Sequence, residues 1–171
     1  MKICLLVALA TASVSSSAAF AASDTELLGV KLMLEEEQQA IDLASAIIHS
    51  PQDLQQHLAA NHASALNKLS PTALSAFIEG LVFTPRGLGS YNYLPLQTLS
   101  ITDIHRILAL FGVQTSMEAI PGLMPRNASE ELMLRPMARP GRPNSQCYMG
   151  DKNTYCRATP SSVCPTSCEP F

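Results

Sequence analysis

The chain has 171 residues, of which 47% are hydrophobic and 5% aromatic, with no tryptophan and a formal net charge of −3. That length suffices for one soluble domain with an aliphatic core. The weak negative charge excludes nucleic-acid binding by the chain as a whole.

The first segment, MKICLLVALATASVSSSAAFAAS, places Lys2 before an apolar run and ends in Ala19-Phe20-Ala21. This is the pattern of a secretory signal peptide over residues 1–21, cleaved after Ala21. The run is shorter than the roughly 20 residues a bilayer-spanning helix needs, and no second run of that length follows. The mature chain is therefore expected to be secreted or periplasmic, with no transmembrane segment. An alternative is a bipartite plastid leader, which Asp24, Glu26 and Glu35-Glu36-Glu37 oppose because transit segments are poor in acids.

Residues 22–112 read as a helical domain. Ser23-Asp24-Thr25-Glu26 forms a capping box. Leu27, Val30, Leu34, Ile41, Ala44 and Ile48 follow as a one-sided stripe. Ser50-Pro51 opens a second helix through Leu54, Leu58, Ala65, Leu66 and Leu69, with Ser as cap and Pro at its first position. Ser70-Pro71 opens a third, carrying Leu74, Phe77, Ile78, Leu81 and Val82. Residues 84–96, TPRGLGSYNYLPL, read as a surface loop. A fourth helix starts at Ser100, paired with Asp103, and runs through Ile104, Ile107, Leu108 and Phe111 to a stop at Gly112.

Residues 113–143 form an irregular, Pro/Arg-rich spacer with one short helix across 127–134. Arg135, Arg139 and Arg142 each precede a proline, and residues before proline avoid the helical region. The fold class expected is mainly α: a small bundle of about four short helices, an extended spacer, and an irregular disulfide-linked tail over 144–171.

The tail holds Cys147, Cys156, Cys164 and Cys168, leaving only Cys4 in the leader. Four cysteines in an oxidising compartment imply two disulfides, in any of three connectivities. The intervening runs of eight, seven and three residues lack the close ligand pairs of a zinc site. No metal or other cofactor is expected.

Other candidates carry little chemistry. His57 and His62 are about 140° apart on a helix, so they do not converge on one metal, and both read as solvated. Glu35, Glu36 and Glu37 splay in the same way. His105 beside Asp103 and Arg106 reads as a surface residue. The Gly87-Leu88-Gly89 triplet has no strand before it, and no serine has a nucleophile-elbow context.

The best partner contacts are Tyr91 and Tyr93 on the 84–96 loop, together with Arg135, Arg139 and Arg142. Tyrosine offers an apolar body with a polar tip, which suits a protein or glycan. The competing placement folds those tyrosines back over the helix ends. Charge is segregated as well, with seven acids and one base in 22–60 against six bases and four acids in 121–171. Asn127-Ala128-Ser129 matches an N-glycosylation acceptor. The function expected is an exported, non-catalytic binding protein. One alternative is a precursor that releases the cysteine-rich peptide; another is an exported enzyme assembled around Asp103, His105 and the cysteines.

Overall fold

A computed structural model describes residues 24–60, 63–137, 140–150 and 153–168. The leader, Ser23, His62 and Arg139 lie outside these residues. The elements in chain order are α1 (Asp24–Ser45), α2 (Pro51–Ala60), a 3-10 turn (Ala65–Lys68), α3 (Pro71–Glu79), β1 (Val82–Thr84) and β2 (Gly87–Asn92). After them come a 3-10 turn (Leu94–Leu96), α4 (Ile101–Ala109), a 3-10 segment (Gln114–Ala119), α5 (Ala128–Met133), β3 (Arg142–Met149), β4 (Thr154–Cys164) and a last 3-10 turn (Thr166–Cys168).

The mainly-α expectation is wrong. The helices pack with a four-stranded antiparallel sheet in the order β1-β2-β4-β3. Val82, expected on the third helix, instead starts β1 after α3 ends at Glu79, and two longer segments account for the rest of the error. GLGSYN, taken for a loop, is β2; it lies between β1 and β4, with its first five residues buried. A strand covered on both faces shows no polar alternation. Its glycine is needed for space: a Cβ on Gly89 would sit 2.6 Å from Thr84 Cγ2 and 2.8 Å from Cys147 Sγ.

The second segment is the tail, which is not irregular but a hairpin of β3 and β4. Pro143 lies opposite Val163 on β3, an edge strand, where a missing N–H is tolerated. Between Ser145↔Ala158 and Pro143↔Val163 the register shifts, because β4 bulges outward over 159–162. Asn144 and Ser161 take positive φ there, 49° and 64°. Asn144 Oδ1 accepts from Ser161 N (3.3 Å) and from the Tyr93 hydroxyl (3.0 Å), which fixes the bulge to the body.

The helix starts follow their sequence signals. Ser70 Oγ accepts from Ala73 N at 3.2 Å, with Pro71 in the first turn. Ser100 Oγ accepts from Asp103 N (3.1 Å) and donates to Asp103 Oδ2 (2.8 Å). Ser50 and Asp53 repeat the exchange at α2. The Ser50 hydroxyl and then the His49 N–H hold the Asp53 carboxyl below its usual value. Gly112 ends the α4 segment at φ 69° as expected, and a Cβ there would meet Asp42 O at 2.6 Å.

Two helices depart from expectation. α2 stops at Ala60, and the Ala65–Lys68 turn is a separate piece capped by Ser64, whose Oγ accepts from Leu66 N at 3.2 Å. α1 carries its apolar stripe outward: Leu27, Val30, Leu34 and Ile41 are all more than half exposed. The core instead closes on Ile48, Leu66, Phe77, Leu88, Tyr91, Leu96, Ile104, Ile107, Leu108, Phe111, Met117 and Val163. Among the described residues, no helix is long and apolar enough to cross a membrane.

Candidate functional site

Three elements meet at an open cleft of about 520 Å³. α4 contributes His105, the 3-10 segment contributes Gln114 and Thr115, and α5 with the residues after it contributes Ser129, Leu132, Met133, Arg135 and Met137. This volume lies within the range of small-ligand sites, roughly 300–1,000 Å³.

Each wall has a local cause. Asn127 caps α5, its Oδ1 accepting from Glu130 N at 2.9 Å, while the buried Glu130 accepts from Arg126 N at 2.8 Å. The segment after α5 is pinned where Met137 N donates to Glu118 Oε2 at 2.8 Å. Burial pushes the Glu118 carboxyl above its usual value, against the pull of that hydrogen bond.

The polar groups of the cleft are few and spaced around its apolar floor. Among the described residues, the Arg135 side chain makes no hydrogen bond or ion pair, and it is exposed at the rim. Gln114 has a buried Oε1 with no hydrogen-bond partner there. His105 is half-buried, and burial holds its imidazole below the ordinary histidine value; Asp42 pulls it up and Arg106 pushes it down. The chemistry on offer is a fixed cation, a neutral imidazole and an unsatisfied amide beside Leu132, Met133 and Met137. Such a set offers a charge and polar atoms beside an apolar surface.

Of the contact residues expected from sequence, Arg135 lines this cleft, while Arg142 is exposed on β3 and is not among its lining residues. Arg139 lies outside the described residues. Tyr91 and Tyr93 are not on an exposed loop: they are 0% and 7% exposed. Tyr91 points its hydroxyl to Ser116 Oγ at 3.0 Å, and Ser116 in turn donates to Val113 O at 2.6 Å. Tyr91 is buried because β2 is an inner strand, which removes it from any partner's reach, and Tyr93, just past β2, is covered where it bonds Asn144 and Ser161.

Asn127 is exposed and serves as a helix cap. His57 is buried rather than solvated, bonded through Nε2 to Ser64 Oγ at 2.8 Å. Glu35 pairs with Lys31 at 3.6 Å. The Arg86-Gly87 stretch is the tight turn of the β1–β2 hairpin, closed by Thr84 Oγ1 donating to Gly87 O at 3.2 Å.

Cys147 bonds Cys168, and Cys156 bonds Cys164. The first bridge ties β3 to the 166–168 turn, while the second spans the bulge within β4. Asp103 accepts from Ser100 Oγ at the start of α4, and all four tail cysteines are held in disulfides. Gln114, Thr115 and Met137 escaped sequence reading because 113–126 has no period and single polar residues there carry no signal. Comparisons of the chain with protein-family models, with curated proteins and with solved structures find no match.

Proposed function

We propose that this chain is an exported, non-catalytic binding protein whose cleft takes a small amphiphilic anion. The observation that carries the reading is the Arg135 guanidinium, without a partner among the described residues, in a cleft that Leu132, Met133 and Met137 also line. Arginine presents a planar fork that matches a carboxylate or phosphate in two hydrogen bonds. His105 lines the same cleft and offers a ring N–H to the anion, and the methionines adapt to its apolar body. Two disulfides support export, because they persist in oxidising compartments. The leader supports it further.

The tail is bonded to the body. Tyr91 pairs with Val163, Tyr93 N donates to Ser161 O at 2.9 Å, and Ser167 Oγ donates to Leu88 O at 2.7 Å. Release of a free cysteine-rich peptide would have to break this pairing, so the binding reading is preferred over the precursor reading.

The test is thermal unfolding of the oxidised protein with decanoate or with decanol. Decanoate at one hundred times its Kd should stabilise by about 2.7 kcal/mol, with a matching rise in melting temperature. Decanol should do less, and Arg135→Ala should remove the difference. Equal shifts from acid and alcohol, or an acid–alcohol difference that survives in Arg135→Ala, would sink the assignment.

A further inference from the structure

The four cysteines converge on one spot. The Sγ atoms of Cys147, Cys164 and Cys168 all lie within 4.8 Å of one another, although only Cys147 and Cys168 among them are bonded. Cys156 joins the group through its bond to Cys164. It is also the direct cross-strand partner of Cys147 in the β3–β4 ladder. Opposed residues of an antiparallel pair have Cα atoms about 4.5–5.5 Å apart and point to the same face. That falls inside the window of about 4.4–6.8 Å that a disulfide requires.

We propose that the tail is a thiol–disulfide exchange unit that isomerises between two pairings. One is Cys147–Cys168 with Cys156–Cys164; the other is Cys147–Cys156 with Cys164–Cys168. The trigger is an external thiol of the glutathione type. Cys147, Cys164 and Cys168 are buried while Cys156 is partly exposed, so the external thiolate attacks Cys156 Sγ. That step forms a mixed disulfide on Cys156 and expels the Cys164 thiolate. Cys164 then attacks Cys168 Sγ, forming Cys164–Cys168 and expelling the Cys147 thiolate. Cys147 finally attacks Cys156 Sγ across the ladder, forming Cys147–Cys156 and returning the external thiol. Each step exchanges one S–S bond for another, so no net oxidation occurs and the thiol acts catalytically.

The isomers differ in what they hold. In the first, the bulge over 159–162 is stapled and the 166–168 turn is tied to β3. In the second, the hairpin is clamped across its own strands, and the turn keeps only a local loop. The turn that carries Ser167, which donates to Leu88 O, then loses its tie to β3 and is bridged only to the end of β4. The exchange thereby trades a long-range tie for two local ones.

Trypsin reads the two states apart by mass. The three arginines at 135, 139 and 142 all precede proline, so cleavage after Arg126, Lys152 and Arg157 yields peptides 127–152, 153–157 and 158–171. The first pairing links all three peptides into one species. The second gives 127–152 joined to 153–157, plus 158–171 alone with an internal bridge. Oxidised protein incubated with catalytic glutathione, acid-quenched and digested without reduction should show the two-part pattern growing at the expense of the three-part species. A three-part species that persists alone at every glutathione concentration overturns the proposal.

A second variant keeps the test independent of the trigger. Cys156→Ser leaves Cys164 unpaired beside Cys147–Cys168, and alkylation should then mark Cys147 as well as Cys164. Alkylation confined to Cys164 refutes the exchange.

Discussion

Replacing Tyr91 with phenylalanine tests the buried β2 strand through a pH signature. The Ser116 hydroxyl spends its only hydrogen on Val113 O, so the Tyr91 hydroxyl is the donor in their 3.0 Å contact. Tyr91→Phe removes that donor and leaves the ring in place, 6.4 Å from Phe77. Ser116 keeps an acceptor for its proton, so no buried donor is stranded. The cost at pH 8 should be that of one ordinary hydrogen bond, about 0.5–1.5 kcal/mol. Burial also pushes the Tyr91 phenol well above its ordinary value of 10.0.

Above pH 10 the unfolded chain therefore ionises at this residue while the folded chain does not. The stabilisation from Tyr91 is complete below pH 10 and declines as pH rises, by up to about 1.4 kcal/mol per unit. Phenylalanine has no such loss, and the other three tyrosines are common to both chains. The variant's deficit should shrink from about 1 kcal/mol at pH 8 to near zero around pH 11, on the same net hydrogen-bond value. Urea unfolding of both chains at the two pH values, followed by far-ultraviolet circular dichroism, measures it. A gap of equal size at pH 8 and pH 11 would show that Tyr91 ionises as freely in the folded chain as in the unfolded one, and the reasoning would fail.

Other outcomes follow from the same geometry. Gly112→Ala should lose about 2 kcal/mol or more in urea unfolding: a left-handed backbone costs a non-glycine residue roughly 1–2 kcal/mol, and the new Cβ meets Asp42 O at 2.6 Å. A loss under half that would mean the turn relaxes away from α1. Asn127→Ala should cost about 1 kcal/mol through the lost α5 cap and weaken decanoate binding, because α5 forms one wall of the cleft. Unchanged affinity would separate the helix from the site. Decanesulfonate, whose charge is constant, should bind more tightly at pH 5 than at pH 7.5, since His105 gains its proton only below the usual range and then attracts the anion. Calorimetric titration of His105→Gln should show that slope flattened; the same slope in the variant would assign it to another group.

Local grammar was readable in the residues, whereas the tertiary context was not. Ser70-Pro71 and Ser100 with Asp103 marked helix starts because a cap is satisfied within three residues. The two disulfides were readable as a number, and their pairing became visible only once β3 and β4 were aligned. The strands escaped detection for opposite reasons. β2 is buried throughout and looks like a glycine-rich loop, while β4 is mostly polar, interrupted by a bulge and held by sulfur rather than by an apolar face. α1 shows the reverse case: its stripe at Leu27, Val30, Leu34 and Ile41 is regular, yet periodicity does not say whether anything covers it. Arg135 was marked by its charge. Its neighbours Gln114 and His105 became a site only when α4 and the 3-10 segment were brought against α5.

The pairing of β2 with β4 also sets a timetable. Tyr91 and Asn92 pair with Val163 and Ser162, and Leu88 accepts from a serine 79 residues further along the chain, so a ribosome must reach the tail before the inner strand is flanked on both sides. Until then β2 presents a bare edge that neighbouring chains could extend. Contacts of such long reach close slowly. The β1–β2 and β3–β4 hairpins are local, so it is the joining of the two through β2 and β4 that waits longest, and a holding chaperone would act during that interval.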